Sequence, residues 1–151
     1  PCLGGRGVRV LDINLYDVSI KLLQAREGSR EGSRLWDELI AVETDVEKDN
    51  LLELLQNVLG VEDYLIPAIG ERLQQTDFDV LFLSGIGEVF PYIRSHNVLN
   101  NLQSTAKDKP TVLFFPGEYR HSLEQGASLE LFGLLHDDKY YRAFNIFETQ
   151  V

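Results

Sequence analysis

Residues 78–84 are FDVLFLS, an apolar stretch bounded by turn residues in the chain's second half. It is short and apolar, with Thr76-Asp77 before it and Gly85 after it. A continuous apolar run of that length is the pattern of a strand buried on both faces, as at the centre of a parallel sheet. Outward from it, residues 91–103 open with Pro91 and offer Ile93, Val98, Leu99 and Leu102 for packing, which predicts a helix. Lys109-Pro110 breaks the chain. Residues 111–115 (TVLFF) then predict another buried strand, ended by Pro116-Gly117.

Toward the N-terminus, residues 8–14 (VRVLDIN) are β-branched and bounded by glycine, so they read as a first strand. Asn14 is placed to cap a helix with Asp17 in its first turn and Tyr16, Ile20 and Leu23 on one face, ending before Gly28. Residues 26–34 are a tandem REGS-REGS-R without an apolar side chain, which predicts an exposed loop. Ser33 is expected to start a second helix with Leu35, Trp36, Leu39 and Ile40 inward. Thr44-Asp45-Val46-Glu47 has capping-box spacing before Leu51, Leu52, Leu55, Val58 and Leu59, and Gly60 closes that helix. Pro67 marks a further helix start, with Ile69 and Leu73 inward.

The C-terminal third is less periodic. Gly126 and Gly133 interrupt residues 118–138, while Leu129, Leu131 and Phe132 keep that stretch near the core. Residues 140–147 alternate and predict a fourth strand near an edge. This order of elements is that of an α/β domain. The expected architecture is three-layered, a mostly parallel open sheet with helices on both faces, Rossmann-like or P-loop-like but without a phosphate-binding loop. Residues 1–151 are expected to form one such domain. Methionine is absent, even at position 1, so a native N-terminal segment is expected to be missing.

Composition narrows the function classes. Hydrophobic residues make up 44% and charged residues 25%, with 8 Phe, 6 Tyr and 1 Trp, which excludes disorder. No apolar run exceeds four residues, so no segment reads as a membrane span. A single cysteine, Cys2, excludes a disulfide framework and fits a cytoplasmic setting. The net charge is −10. Residues 31–80 hold 13 acids and 3 bases and carry all of it, since the other 101 residues hold 11 of each. That segment repels phosphates and reads as a solvated helix surface. Basic and aromatic residues do mix near the C-terminus (Arg94, Arg120, Lys139, Tyr140, Arg142). Residues 89–151 still hold 6 bases against 7 acids, so no direct nucleic-acid binding is expected.

Ligands of parallel sheets gather at the C-terminal strand ends, here residues 12–14, 84–88 and 116–121. GxxxxGK[ST] is absent, and Gly85-Ile86-Gly87 has Phe90 where a third dinucleotide-loop glycine would stand. A degenerate nucleotide-binding domain is one alternative. Ser122 beside His121 and Ser95 beside His96 lack a nucleophile elbow. A hydrolase or phosphoesterase using Glu88, His96, Glu118 and His121 is a second alternative. His96, His121 and His136 show no helix-spaced ligand pairing. Asp12, Glu88 and Glu118 at adjacent strand ends form a conceivable hard-cation set, but no metal or other cofactor is expected. The preferred surface is a protein interface at the loops 85–92 and 116–122. Its anchors would be Glu88, Phe90, Tyr92, Arg94, Glu118, Tyr119 and Arg120.

The runs FDVLFLSGIGEVFPYIRSHNVLNN (78–101) and PTVLFFPGEYRHSLEQGASLELFGLLHDDKYYRAFNIF (110–147) closely resemble the BrxB family of bacterial BREX phage-defence operons. VRVLDINLYDVSI matches it too, and the resemblance covers nearly the whole chain from Val8 onward. Relatives usually carry a further N-terminal stretch, and the REGSREGS segment looks like an insertion. The resemblance implies a part in a system that methylates host adenines and blocks phage replication. It implies a non-catalytic accessory subunit that binds other BREX proteins, a PglZ-type protein first, then the methyltransferase or ATPase. It supplies no catalytic residues to map here.

Overall fold

The computed structural model describes residues 2–3, 7–122, 126–132, 135–137 and 144–148. Its centre is the stretch read first. Strand β1 (Cys2–Leu3) pairs antiparallel with β2 (Val8–Asn14). β2 pairs parallel with β3 (Val80–Ser84), and β3 pairs parallel with β4 (Thr111–Leu113). Between β2 and β3 run α1 (Leu15–Ala25), α2 (Leu35–Glu43), α3 (Lys48–Leu59), a π-helical turn (Val61–Leu65) and α4 (Ile66–Gln75). A one-turn α5 (Ile86–Val89) and α6 (Ser95–Thr105) lead from β3 to β4. Strands β5 (Gly117–Ser122), β6 (Gly126–Leu131) and β7 (Leu135–Asp137) form a separate antiparallel sheet. The chain is thus an open, mostly parallel α/β sheet with helices, as its strand and helix order predicts.

Register places Leu11 beside Leu81 and Ile13 beside Leu83. These four join one apolar cluster with residues of all six helices, including Leu15, Leu39, Leu59, Ile69, Ile86 and Val98. Every second residue of β3 is buried, and the ones between are half-buried. The expected burial on both faces is therefore complete on one face only. Arg9 fixes the start of the β2–β3 pair. Its backbone N–H and Nη2 donate to the two carboxylate oxygens of Asp79, each at 2.8 Å, and it also pairs with Asp77. This guanidinium holds the Asp79 carboxyl well below the usual range.

Several boundaries differ from the sequence reading for local reasons. Asn14 caps α1 as expected, accepting from Asp17 N–H at 3.1 Å. Leu39 is buried on α2, but Ile40 is 52% exposed. The capping box does not form. Thr44 ends α2, the Asp45 and Val46 N–H groups both bond to the Val42 carbonyl, and α3 starts a turn later behind an extended Glu47. Pro91 does not open α6. It follows a cis peptide in a turn where Ile93 N–H bonds to the Val89 carbonyl, and Arg94 is extended before the helix begins. Residues 140–143 of the expected fourth strand lie outside the described residues. In its remainder, Asn145 Oδ1 accepts from Phe147 N–H and the chain turns into a 3₁₀ turn over Ile146–Glu148.

The tandem-repeat loop is organised by a residue outside it. Glu38 of α2 accepts from Ser29 N–H and Oγ–H at 2.9 Å, from Arg30 N–H at 3.1 Å and from Ser33 Oγ–H at 2.5 Å. The Ser33 and Ser29 donors lower its carboxyl to about 2. A folded-state value below the unfolded 4.5 stabilises the loop fully above about pH 4.5, and this is lost as pH falls through about 2. A carboxyl NMR titration of Glu38 is expected to show its midpoint near 2, and Glu38→Gln to speed amide exchange at Ser29 and Arg30. A midpoint above 4 would mean that the carboxylate does not hold the loop.

Candidate functional site

The C-terminal ends of β2, β3 and β4 converge, as parallel topology requires. Gly85 ends β3 with φ +80° and makes room for Asn14, whose Oδ1 would lie 2.5 Å from an added Cβ. Gly87 packs under Pro116 and Phe132, at 2.8 and 3.3 Å from its own would-be Cβ. The Phe132 N–H bonds to the Pro116 carbonyl. The loop after β3 therefore abuts the entrance to the antiparallel sheet. Phe132 was expected near the core, but it is 57% exposed.

The predicted anchors divide among three neighbouring places. Glu88 is exposed on α5. Phe90 and Tyr92 are half-buried, and Tyr92 packs on the core cluster. Tyr92 and Arg94 line an open cleft of about 550 Å³ with His96 and Asn97. Its far wall comes from the end of α3 and the π-helical turn, with Gln56, Glu62 and Asp63. Gln56 Nε2–H bridges that wall to the Pro91 carbonyl at 3.2 Å. Arg26 braces the wall from behind, donating to the Val58 carbonyl and stacking over the Tyr64 ring at 3.8 Å.

Glu118, Tyr119 and Arg120 lie on β5. Glu118 stands directly opposite Glu130 of β6, a pairing of like charges. Arg120 resolves it, reaching Glu118 Oε2 at 3.0 Å through Nη2 and Glu130 Oε2 at 3.3 Å through Nε. Glu118 and then Glu130 raise the guanidinium's pKa. Glu130 is buried, while Arg120 and Glu118 remain largely exposed. Sequence reasoning missed Glu130 and the Gln56–Asp63 wall. Their only signal was a lone acid within LELF and an acidic pair after Gly60.

The enzyme constellation is only partly in view. His96 lines the cleft on α6, whereas the His121 side chain lies outside the described residues. Among the described residues no three His, Cys, Asp or Glu side chains gather to hold a metal ion, so Asp12, Glu88 and Glu118 do not form a cation site. No helix among them is long and apolar enough to cross a membrane.

Residues 11–146 match the family described as BREX protein BrxB. A "BREX protein BrxB" of Bacillus cereus (strain H3081.97) is 33% identical over 144 residues, 93% of this chain and 68% of that protein. A "BREX protein BrxB" of Escherichia coli O9:H4 (strain HS) is 27% identical over 134 residues, 89% of this chain and 60% of that protein. The chain thus spans about two thirds of the length of these curated relatives. No solved structure matches it. A match running from the centre of β2 to the final 3₁₀ turn takes in β3 to β7 and every predicted anchor, and the chain belongs to the BrxB family.

Proposed function

We propose that this BREX component is a non-catalytic accessory subunit that acts by binding other BREX proteins, a PglZ-type protein first and the methyltransferase or ATPase next. The observation that carries the reading is the make-up of the strand-end surface. Half-buried Phe90 and Tyr92 stand beside exposed Arg94, and half-buried Tyr119 stands beside exposed Arg120. Aromatic groups held in place next to arginine are the usual anchors of protein interfaces. The net charge of −10 and the acidic helices oppose direct phosphate contact.

The test is affinity capture of the tagged full-length protein from cells expressing its whole operon, read by mass spectrometry. Stoichiometric recovery of a PglZ-type or methyltransferase partner is expected. Arg94→Ala and Tyr119→Ala are each expected to cut recovery severalfold with unchanged circular dichroism, since interface anchors contribute about 2 kcal/mol or more. Recovery of the protein alone would overturn the accessory reading and favour the carboxylate–histidine hydrolase. Recovery unchanged in both variants would move the interface to another face.

A further inference from the structure

The topology of the main sheet leaves one of its faces without helices from its own crossovers. β2, β3 and β4 lie side by side in chain order. Right-handed connections between successive parallel neighbours carry their helices to the same side each time. The helices accordingly pack with Leu11, Ile13, Leu81 and Leu83. The opposite face presents Val10, Val80, Phe82, Val112 and Phe114. Among the described residues, none of these five belongs to the core cluster or packs on it. Four are half-buried, and Phe114 is 52% exposed. Phe82 and Phe114 meet edge to face, with ring centroids 5.2 Å apart. This β-branched and aromatic strip has the composition of a covered sheet face.

The charge on that face discriminates among occupants. Asp12 is the one charged residue of β2–β4 there, and it lies beside Phe82 in register. Asp12 is exposed, and among the described residues its carboxylate has neither an ion pair nor a hydrogen bond. A second copy of this chain would bring a second Asp12 and another −10. We propose that this face docks a basic amphipathic helix of a partner protein, with its apolar stripe on Phe82, Val112 and Phe114 and a lysine or arginine at its edge paired with Asp12. A helix is the element that a parallel sheet face accepts. The proposal rests on the accessory reading and adds a face and a partner chemistry to it.

The probe is a synthetic amphipathic helix of about 18 residues made of Leu and Lys, set against a Leu/Glu peptide of the same pattern. Both are titrated calorimetrically into the intact chain. Saturable binding of the Lys peptide is expected, weakened about tenfold or more by Phe114→Asp and by Asp12→Lys. Asp12→Lys is also expected to gain affinity for the Glu peptide, which a general attraction to the acidic helices would not produce. Equal Lys-peptide affinity in wild type and both variants overturns the proposal. Dimerisation of the chain that Phe114→Asp abolishes overturns it too, by assigning the face to a second copy. Operon capture separates the two readings. A partner retained by Phe114→Asp but lost by Arg94→Ala overturns the sheet-face proposal alone, whereas no partner for the wild type removes the accessory reading.

Discussion

Leu83→Ala lowers the unfolding free energy by about 2–5 kcal/mol, the cost of lost burial plus the cavity left behind. The expected loss sits at the upper end because the site has little freedom to collapse. Leu83 is fully buried, and its register partner across the parallel pair, Ile13, is fully buried as well. Both side chains belong to the cluster in which every helix takes part, so hydrogen-bonded elements rather than free side chains frame the gap. Ile40→Ala is the control. That side chain is 52% exposed on α2, and its removal should cost no more than about 0.5 kcal/mol. Urea unfolding followed by circular dichroism reads both variants. A cost for Leu83→Ala below about 1 kcal/mol would place the centre of the core somewhere other than the β2–β3 pair.

What was legible in advance follows from how local each signal is. The seven residues of β2, the apolar run of β3 and the Asn14 cap are fixed by near neighbours, and all three are in place. Helix starts were less legible because turn residues compete for them. Thr44 carries a capping spacing yet serves as the end of α2, and Pro91 suits a first turn yet lies four residues before α6. Strand order was not legible at all. It decides that both crossovers cover the Leu11–Leu81 face, and no residue within a single strand encodes its neighbours. The antiparallel sheet went unread for a related reason. Glu118-Tyr119-Arg120 is polar enough to pass for loop, and only pairing with β6 makes it a strand. Of the predicted site, the sequence neighbours Tyr92 and Arg94 do share a cleft, but its other wall lies some thirty positions earlier. The charge logic of Arg120 likewise depends on Glu130, which only the hairpin register brings opposite Glu118.

Gly117→Ala is expected to detach the β5–β6 hairpin from its register while leaving the parallel core folded. A Cβ at Gly117 would lie 2.0 Å from the Glu130 carbonyl oxygen and 2.8 Å from the Phe115 ring. The first of these is backbone of the paired strand, so no rotamer change relieves it. The substitution must open the Gly117–Leu131 pair, at the high end of the about 1–3 kcal/mol that overpacking usually costs. Gly32→Ala isolates the backbone component. Its φ is +78°, but nothing lies within 4 Å of its would-be Cβ, so it should cost only about 1–2 kcal/mol of left-handed strain. Amide exchange reads where the loss falls. Gly117→Ala should unprotect the β5–β6 ladder while Leu81 and Leu83 stay protected. Opening that pair also pulls Glu118 and Arg120 away from Glu130, so operon capture should fall together with ladder protection. Capture at the wild-type level from a chain whose β5–β6 ladder is open would show that Glu118, Tyr119 and Arg120 take no part in partner binding. The interface would then have to lie on the Arg94 cleft or on the Phe82–Phe114 face.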